Sequence, residues 1–292
     1  MSPLDVVRLP ALMERSRGRP EVAVALIDGP IARNLPDFSG ATIREIPGKL
    51  KPTCTADTVA CSHGTFVAGI LVARRESSSP GICPGCTLLL RPIFEETANG
   101  EDGMPSATPE ELAEAIVNSV EAGASVINLS CALAQPSAKA ESKLEQALNH
   151  AANRRVITVA AAGNQGQVGS SAITRHPWVI PVAACDTQGR PLNESNLGHS
   201  IGRRGLSVPG EGITSLGADG KPRTFGGTSA AAPFVTGAIA LLWSEFPNAA
   251  AAQIMLAVTQ AARPRRRTVT PPLLNAWAAY QAMGSSQEAG DA

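Results

Sequence analysis

The stretch GGTSAAAPFVTGAIALLW, residues 226–243, decides how the chain is to be read. Phe234, Ala238, Leu241 and Leu242 recur at helical spacing, which predicts a buried helix. A core helix does not ordinarily open with two glycines and a Thr-Ser pair. Nor does it carry a proline four residues after the serine, where the backbone bond to residue 229 is lost. An apolar helix whose first turn is chemically unusual implies that the turn has work besides packing.

Working outward, apolar strands alternate with helices. Strands are predicted over 21–27 (EVAVALI), 87–93, 125–129, 156–161 and 179–183. Helices are predicted over 63–74 (Phe66, Val67, Ile70 and Leu71 on one side), from a Thr108-Pro109-Glu110-Glu111 capping box onward, and over 138–152. Near-continuous apolar strands between amphipathic helices indicate an α/β fold of three layers, a doubly wound, mostly parallel sheet with helices on both faces. Residues 1–20 read as an extension formed by one short amphipathic helix bearing Val6, Leu9 and Met13, and 21–283 as a single domain. The small, polar end after Tyr280, above all 284–292, reads as disordered.

The bulk numbers narrow the function. The chain has 292 residues, 43% of them hydrophobic, and its 25 basic and 25 acidic residues balance. That balance gives no reason to expect nucleic acid or a membrane as partner. No run approaches the roughly 18 apolar residues of a membrane span. The N-terminus lacks a basic-then-apolar export pattern, so the expected compartment is the cytoplasm. There six cysteines are expected as free thiols, with Cys83-Pro-Gly-Cys86 and the Cys54/Cys61 pair read as loop turns, with or without a local disulfide. No cofactor is implied, because no G-x-G-x-x-G or Walker segment follows a strand.

In such sheets ligands gather at the carboxyl ends of strands. Four polar residues fall at strand ends or helix starts: Asp28 in IDGP, His63 in CSHGTFVAG, Asn164 in AAAGNQG and Ser229. Each alone is ordinary turn or helix-end chemistry. In the order Asp, His, Ser they match a nucleophilic triad. Ser229 needs a base to take its proton, His63 titrates near neutrality, and Asp28 can hold the other imidazole nitrogen. Asn164 offers an amide donor to an oxyanion, beside the backbone N–H of Ser229.

IDGP, SHGTFVAG, AAAGN and GTSAAAP resemble the four catalytic blocks of the subtilisin-like serine proteases. The resemblance implies a peptide-cleaving enzyme with Asp28, His63 and Ser229 as triad and Asn164 as oxyanion donor. SVINLSCA is similar to the family's substrate-binding strand, which would make Ser130, Cys131 and Ala132 backbone partners of the substrate, with Ala161, Ala162 and Gly163 on the facing segment. Alanine stands at 132 where the family more usually has glycine, which would narrow the S1 pocket. Only 27 residues precede Asp28, against the long folding propeptide of many secreted relatives. The family's usual calcium loop is here ARRESSSPGICPG, with one carboxylate, a poor set for an ion that takes about six to eight oxygens, so no metal is expected.

The N-terminal helix with VALIDGPI, PDFSGA and CSHGTFVAGI also resembles the cytoplasmic cyanobactin-maturation proteases of the patellamide type, which cut modified precursor peptides. One subgroup cleaves before the core peptide; another closes a macrocycle and carries a helical insertion before the His block. Only 34 residues separate Asp28 from His63, and LKPTCTADTVAC has no helical periodicity, which favours simple cleavage. A general subtilase, a macrocyclising one and an inactive peptide-binding version of the fold are the alternatives. The cluster Arg263–Arg267 reads as a solvated loop after a helix.

Overall fold

Runs of aliphatic and β-branched residues too short for helices become strands, and where they lack polar alternation they are buried on both faces. The computed structural model describes all residues except 55–57, 97–105, 133–140, 261–267 and 289–292. Seven strands form one sheet: β1 (Ala23–Asp28), β2 (Thr42–Glu45), β3 (Thr87–Pro92), β4 (Val126–Leu129), β5 (Ile157–Ala161), β6 (Val179–Cys185) and β7 (Leu206–Pro209). Their spatial order is 2-3-1-4-5-6-7 and every pairing is parallel. Beside it, β8 (Ile213–Leu216) and β9 (Pro222–Phe225) make a separate antiparallel hairpin.

The helices in chain order are α1 (Pro3–Val6), α2 (Pro10–Arg15), α3 (Val59–Val72), α4 (Pro109–Glu121), α5 (Ser142–Asn153), α6 (Ala172–Arg175), α7 (His199–Arg204), α8 (Thr228–Glu245), α9 (Ala251–Gln260) and α10 (Ala276–Glu288). Successive strand residues feed opposite faces. On β1, Val24 and Leu26 join the core under α3 and α8, while Ala25 and Ile27 join the one under α4 and α5. The expected three-layer α/β architecture is therefore present.

Several local expectations are corrected. The N-terminal segment is two short helices, because Arg8 adopts φ 56° and Pro10 restarts the chain; Leu9 and Leu12 are fully buried in the α8-side core. Helix α3 begins at Val59, where the Thr58 hydroxyl accepts the Cys61 N–H at 3.2 Å, so His63 stands in the second turn instead of opening the helix. The chain beyond Tyr280 stays helical to Glu288, held by buried Met283 and by Tyr280 stacking on Trp277 at 5.0 Å. Residues 289–292, the start of the predicted 138–152 helix and the Arg263–Arg267 cluster lie outside the described residues.

The cysteines also depart from six free thiols. Cys54 and Cys61, with Cα atoms 5.6 Å apart, are joined as a disulfide, while Cys83, Cys86, Cys131 and Cys185 are free. That separation lies within reach of a disulfide. In the loop after α3, the Arg75 guanidinium donates to the carbonyls of Met13 (2.7 Å), Ser16 (2.9 Å) and Ile82 (2.7 Å). Glu76, its one carboxylate, is paired with Arg17 at 2.7 Å. A calcium ion needs about six to eight oxygens; the loop's one carboxylate is already paired, and its Ile82 carbonyl and two N-terminal carbonyls beside it serve a built-in cation. The residues present do not fit the metal.

Candidate active site

The sheet order reverses at β1, which lies between β3 and β4, and ligands of doubly wound sheets bind at such switch points. Asp28 ends β1 there, fully buried. Its Oδ1 accepts the Gly29 N–H at 2.7 Å and His63 Nδ1–H at 2.6 Å. Two glycines permit this meeting: a Cβ on Gly29 would strike the Ala60 carbonyl, and one on Gly64 would strike the carbonyls of Gly29 and Pro30. Helix α3 can thus lie directly against the end of β1. The His63 side chain is 12% exposed. Burial pulls its pKa down, but the charge and hydrogen bond of Asp28 outweigh burial and leave it raised above 6.5.

Ser229 is the second residue of α8 and 8% exposed. The helix enters through Gly227 at φ +85°, where a Cβ would stand 2.8 Å from Asn164 Nδ2, so only glycine suits both the backbone and the space. Pro233 lies inside the helix and cannot donate to the Ser229 carbonyl. That carbonyl is instead satisfied from another element: the Ser130 hydroxyl, just past β4, donates to it at 2.9 Å. Ser130 Oγ in turn accepts Asn128 Nδ2–H at 2.8 Å, and Asn128 Oδ1 accepts the Thr236 hydroxyl at 2.8 Å. The proline opens the first turn, and a buried three-residue network fills the opening.

Asn164 follows β5 and is exposed. Its Oδ1 accepts both the backbone N–H (2.8 Å) and the hydroxyl (2.9 Å) of Thr228. Because a backbone N–H can only donate, the amide oxygen must face Thr228, leaving Nδ2 as the donor on the cleft side. Thr228 Oγ1 also accepts the Gly163 N–H at 3.1 Å. Asn196 clamps the same loop, donating to the Ala162 carbonyl at 3.1 Å and accepting the N–H groups of Gln165 (3.1 Å) and Gln167 (3.0 Å). The Ala132 methyl lies 3.3 Å from where a Cβ on Gly163 would stand, so Ala132 narrows the gap between the two facing segments.

Ser229, His63 and Asn164 line one cleft of about 510 Å³, with Asp28 behind His63. Among the described residues no hydrogen bond joins His63 Nε2 to Ser229 Oγ. Ser130 and Ala161 are buried, and the Ser130 side chain turns to the Ser229 carbonyl. Burial pushes the Cys131 thiol up to about 12, with the Asp28 charge adding to it, so it stays protonated. The sulfurs of Cys54 and Cys61 and the Glu96 carboxylate lie within 4.8 Å of one another, but a disulfide offers a metal no thiolate. Sequence reasoning passed over Asn128, Thr228, Thr236 and Asn196, whose contacts span up to 108 positions. It also passed over Arg223 and Phe225, which line the cleft beside Phe66.

Residues 19–284 match the model of the subtilase family of S8 peptidases. The chain is 28% identical to subtilisin E of Bacillus subtilis (strain 168) over 263 residues, 86% of this chain and 63% of the relative. It is 31% identical to a thermostable alkaline protease of Halalkalibacterium halodurans over 201 residues, 68% and 52% respectively. The chain thus spans less than two thirds of the length of these curated relatives. It superposes on the protease domain of PatA, a patellamide maturation protease, with TM-score 0.85 and 32% identity, over 92% of this chain and 97% of that one. For the prenylagaramide maturation protease PagA the values are 0.81 and 29%, over 94% and 98%. The PatG macrocyclase shares the fold at TM-score 0.83 and 23% identity, over 96% and 97%. Among the described residues no helix is long and apolar enough to cross a membrane.

Proposed function

The chain belongs to the subtilase family, and from that premise we propose that it is a serine endopeptidase that processes a precursor peptide by hydrolysis. The observation that carries this reading is the 2.6 Å bond between buried Asp28 and His63, at a cleft that Ser229 and Asn164 share. Asp28 holds the Nδ1–H tautomer, so Nε2 faces the cleft as the base. His63 takes the Ser229 proton as Oγ attacks the scissile carbonyl, then gives it to the leaving amine. Asn164 Nδ2 and the Ser229 backbone N–H, at the N-terminus of α8, receive the oxyanion. Water, activated by the same imidazole, then releases the acyl group. The substrate backbone lies along 130–132 and 161–163, and the Ala132 methyl restricts the residue before the bond.

The likeness to PatA and PagA, whose names describe maturation proteases, supports a precursor peptide as substrate, such as one losing its leader in the making of a modified peptide product. Between β1 and α3 the one helical element among the described residues is a three-residue turn, Pro36–Phe38. Among the described residues no helical cover shields an acyl-enzyme from water there, which supports hydrolysis over macrocyclisation. The cytoplasm is the proposed compartment, and the Cys54–Cys61 disulfide bears against it, since such bonds persist in oxidising surroundings. A fluorophosphonate should label Ser229 and not the Ser229→Ala variant. Mass spectrometry of a cleaved precursor should give linear fragments that together gain one water. Proteolysis unchanged in Ser229→Ala overturns the mechanism, and a dehydrated cyclic product overturns hydrolysis.

A further inference from the structure

Strand β9, Pro222-Arg223-Thr224-Phe225, is exposed along its whole length and leads directly into the turn that presents Ser229. Alternate strand residues share a face, and both Arg223 and Phe225 line the cleft. Phe225 meets Phe66 at 4.8 Å between ring centroids, giving that wall an apolar floor. Apart from His63, Arg223 is the cleft's one charged lining residue among the described residues. Its guanidinium donates to Asp219 at 3.2 Å, and both partners remain partly exposed, at 47% and 30%. Asp219 is shared: Lys221 and Arg223 both lower its pKa, after the larger effect of the Lys221 backbone N–H bonded to it. One carboxylate set against two cations leaves the turn positive. A guanidinium has five N–H donors, and Asp219 is the only partner of Arg223 among the described residues.

Resting on the endopeptidase reading, the direction of the substrate follows. The 130–132 segment holds the acyl side, and His63 delivers its proton to the amine that departs. The wall made by Phe66, Phe225 and Arg223, on the His63 side, therefore receives the leaving segment. Arg223 stands two residues, or about 7 Å, beyond Phe225 along the strand. We propose that Arg223 determines specificity by selecting substrates with Asp or Glu two or three residues after the scissile bond, while Phe225 and Phe66 take an apolar side chain next to it.

Two internally quenched peptides, identical except for Glu or Lys at the second and third positions after the bond, test this. At low salt the wild-type kcat/KM ratio, Glu peptide over Lys peptide, should be about fivefold and fall toward one at high salt, as for an exposed ion pair. Arg223→Gln should bring the ratio near one, Arg223→Glu should invert it, and Asp219→Asn should raise it. Taking the ratio within each variant cancels any general loss of activity. A ratio unmoved by Arg223→Glu overturns the inference and leaves the endopeptidase reading standing. Failure to cleave every peptide, together with failure of fluorophosphonate labelling, overturns that reading and the inference with it.

Discussion

The two flanks of the cleft are built differently. On the proposed acyl side, Asn128, Ser130, Thr228, Thr236 and Asn196 tie β4, the loop after β5 and the first turns of α8 into one hydrogen-bonded block. Every side chain in it is buried to 5% exposure or less. On the proposed leaving side, β9 is exposed and, among the described residues, its charged residue pairs only with the neighbouring turn. Groups that stabilise a transition state must be held in place before the reaction, whereas groups that only choose among peptides need contact and charge. Buried hydrogen bonding is concentrated on the flank that supports Ser229, and exposure on the flank proposed to choose among substrates.

That contrast can be broken from its strongest point outward. Asp28→Asn should cost about 10⁴ in kcat, as loss of the carboxylate does in triads of the trypsin type. It should also move the pH profile. Acylation needs neutral His63, so wild-type kcat/KM should climb with pH through a midpoint above 6.5, because Asp28 outweighs burial. With that charge gone, burial alone acts on the imidazole and the midpoint should move to lower pH. A profile that keeps its midpoint would mean that Asp28 does not govern His63.

Asn164→Ala should lower kcat by about 10²–10³, the range known for loss of this kind of donor in subtilisin. KM should change little, since the bond strengthens only as the oxyanion forms. A rise in KM at constant kcat would reassign Asn164 to ground-state binding.

Ser130→Ala probes the hydrogen-bonded flank more gently. It strands the Ser229 carbonyl, already without a helical partner because of Pro233, so urea unfolding should show a loss of about 1–3 kcal/mol. The rate of fluorophosphonate labelling at Ser229 should fall too, as the nucleophile loses its tether. A stability loss with unaltered labelling would confine Ser130 to folding. The smallest effect expected is the Arg223 charge preference, worth a few-fold because an exposed ion pair is weak.

Local chemistry is legible in the residues themselves. Hydrophobic runs such as AVALI mark the buried strands, and the unusual start of the 226–243 helix marks the proposed nucleophile. The missed strands have local reasons: β2, Thr-Ile-Arg-Glu, is a polar edge with only Ile43 buried, and β7 is four residues ending in proline. The helix past Tyr280 was missed because a polar surface hides the few side chains, Met283 among them, that dock it.

The chain by itself determined the parallel architecture and the four reactive residue types, because periodicity and side-chain chemistry are local properties. Tertiary structure alone decided what completes Ser229. Pro233 announces a missing bond, but the donor that replaces it, on Ser130, sits 99 positions before Ser229. It likewise decided that Thr228 turns the Asn164 amide, that Cys54 meets Cys61, and that Arg75 takes the carbonyls of Met13 and Ser16 in the N-terminal segment. Each depends on distance and direction between segments far apart or differently oriented, and no spacing along the chain encodes them.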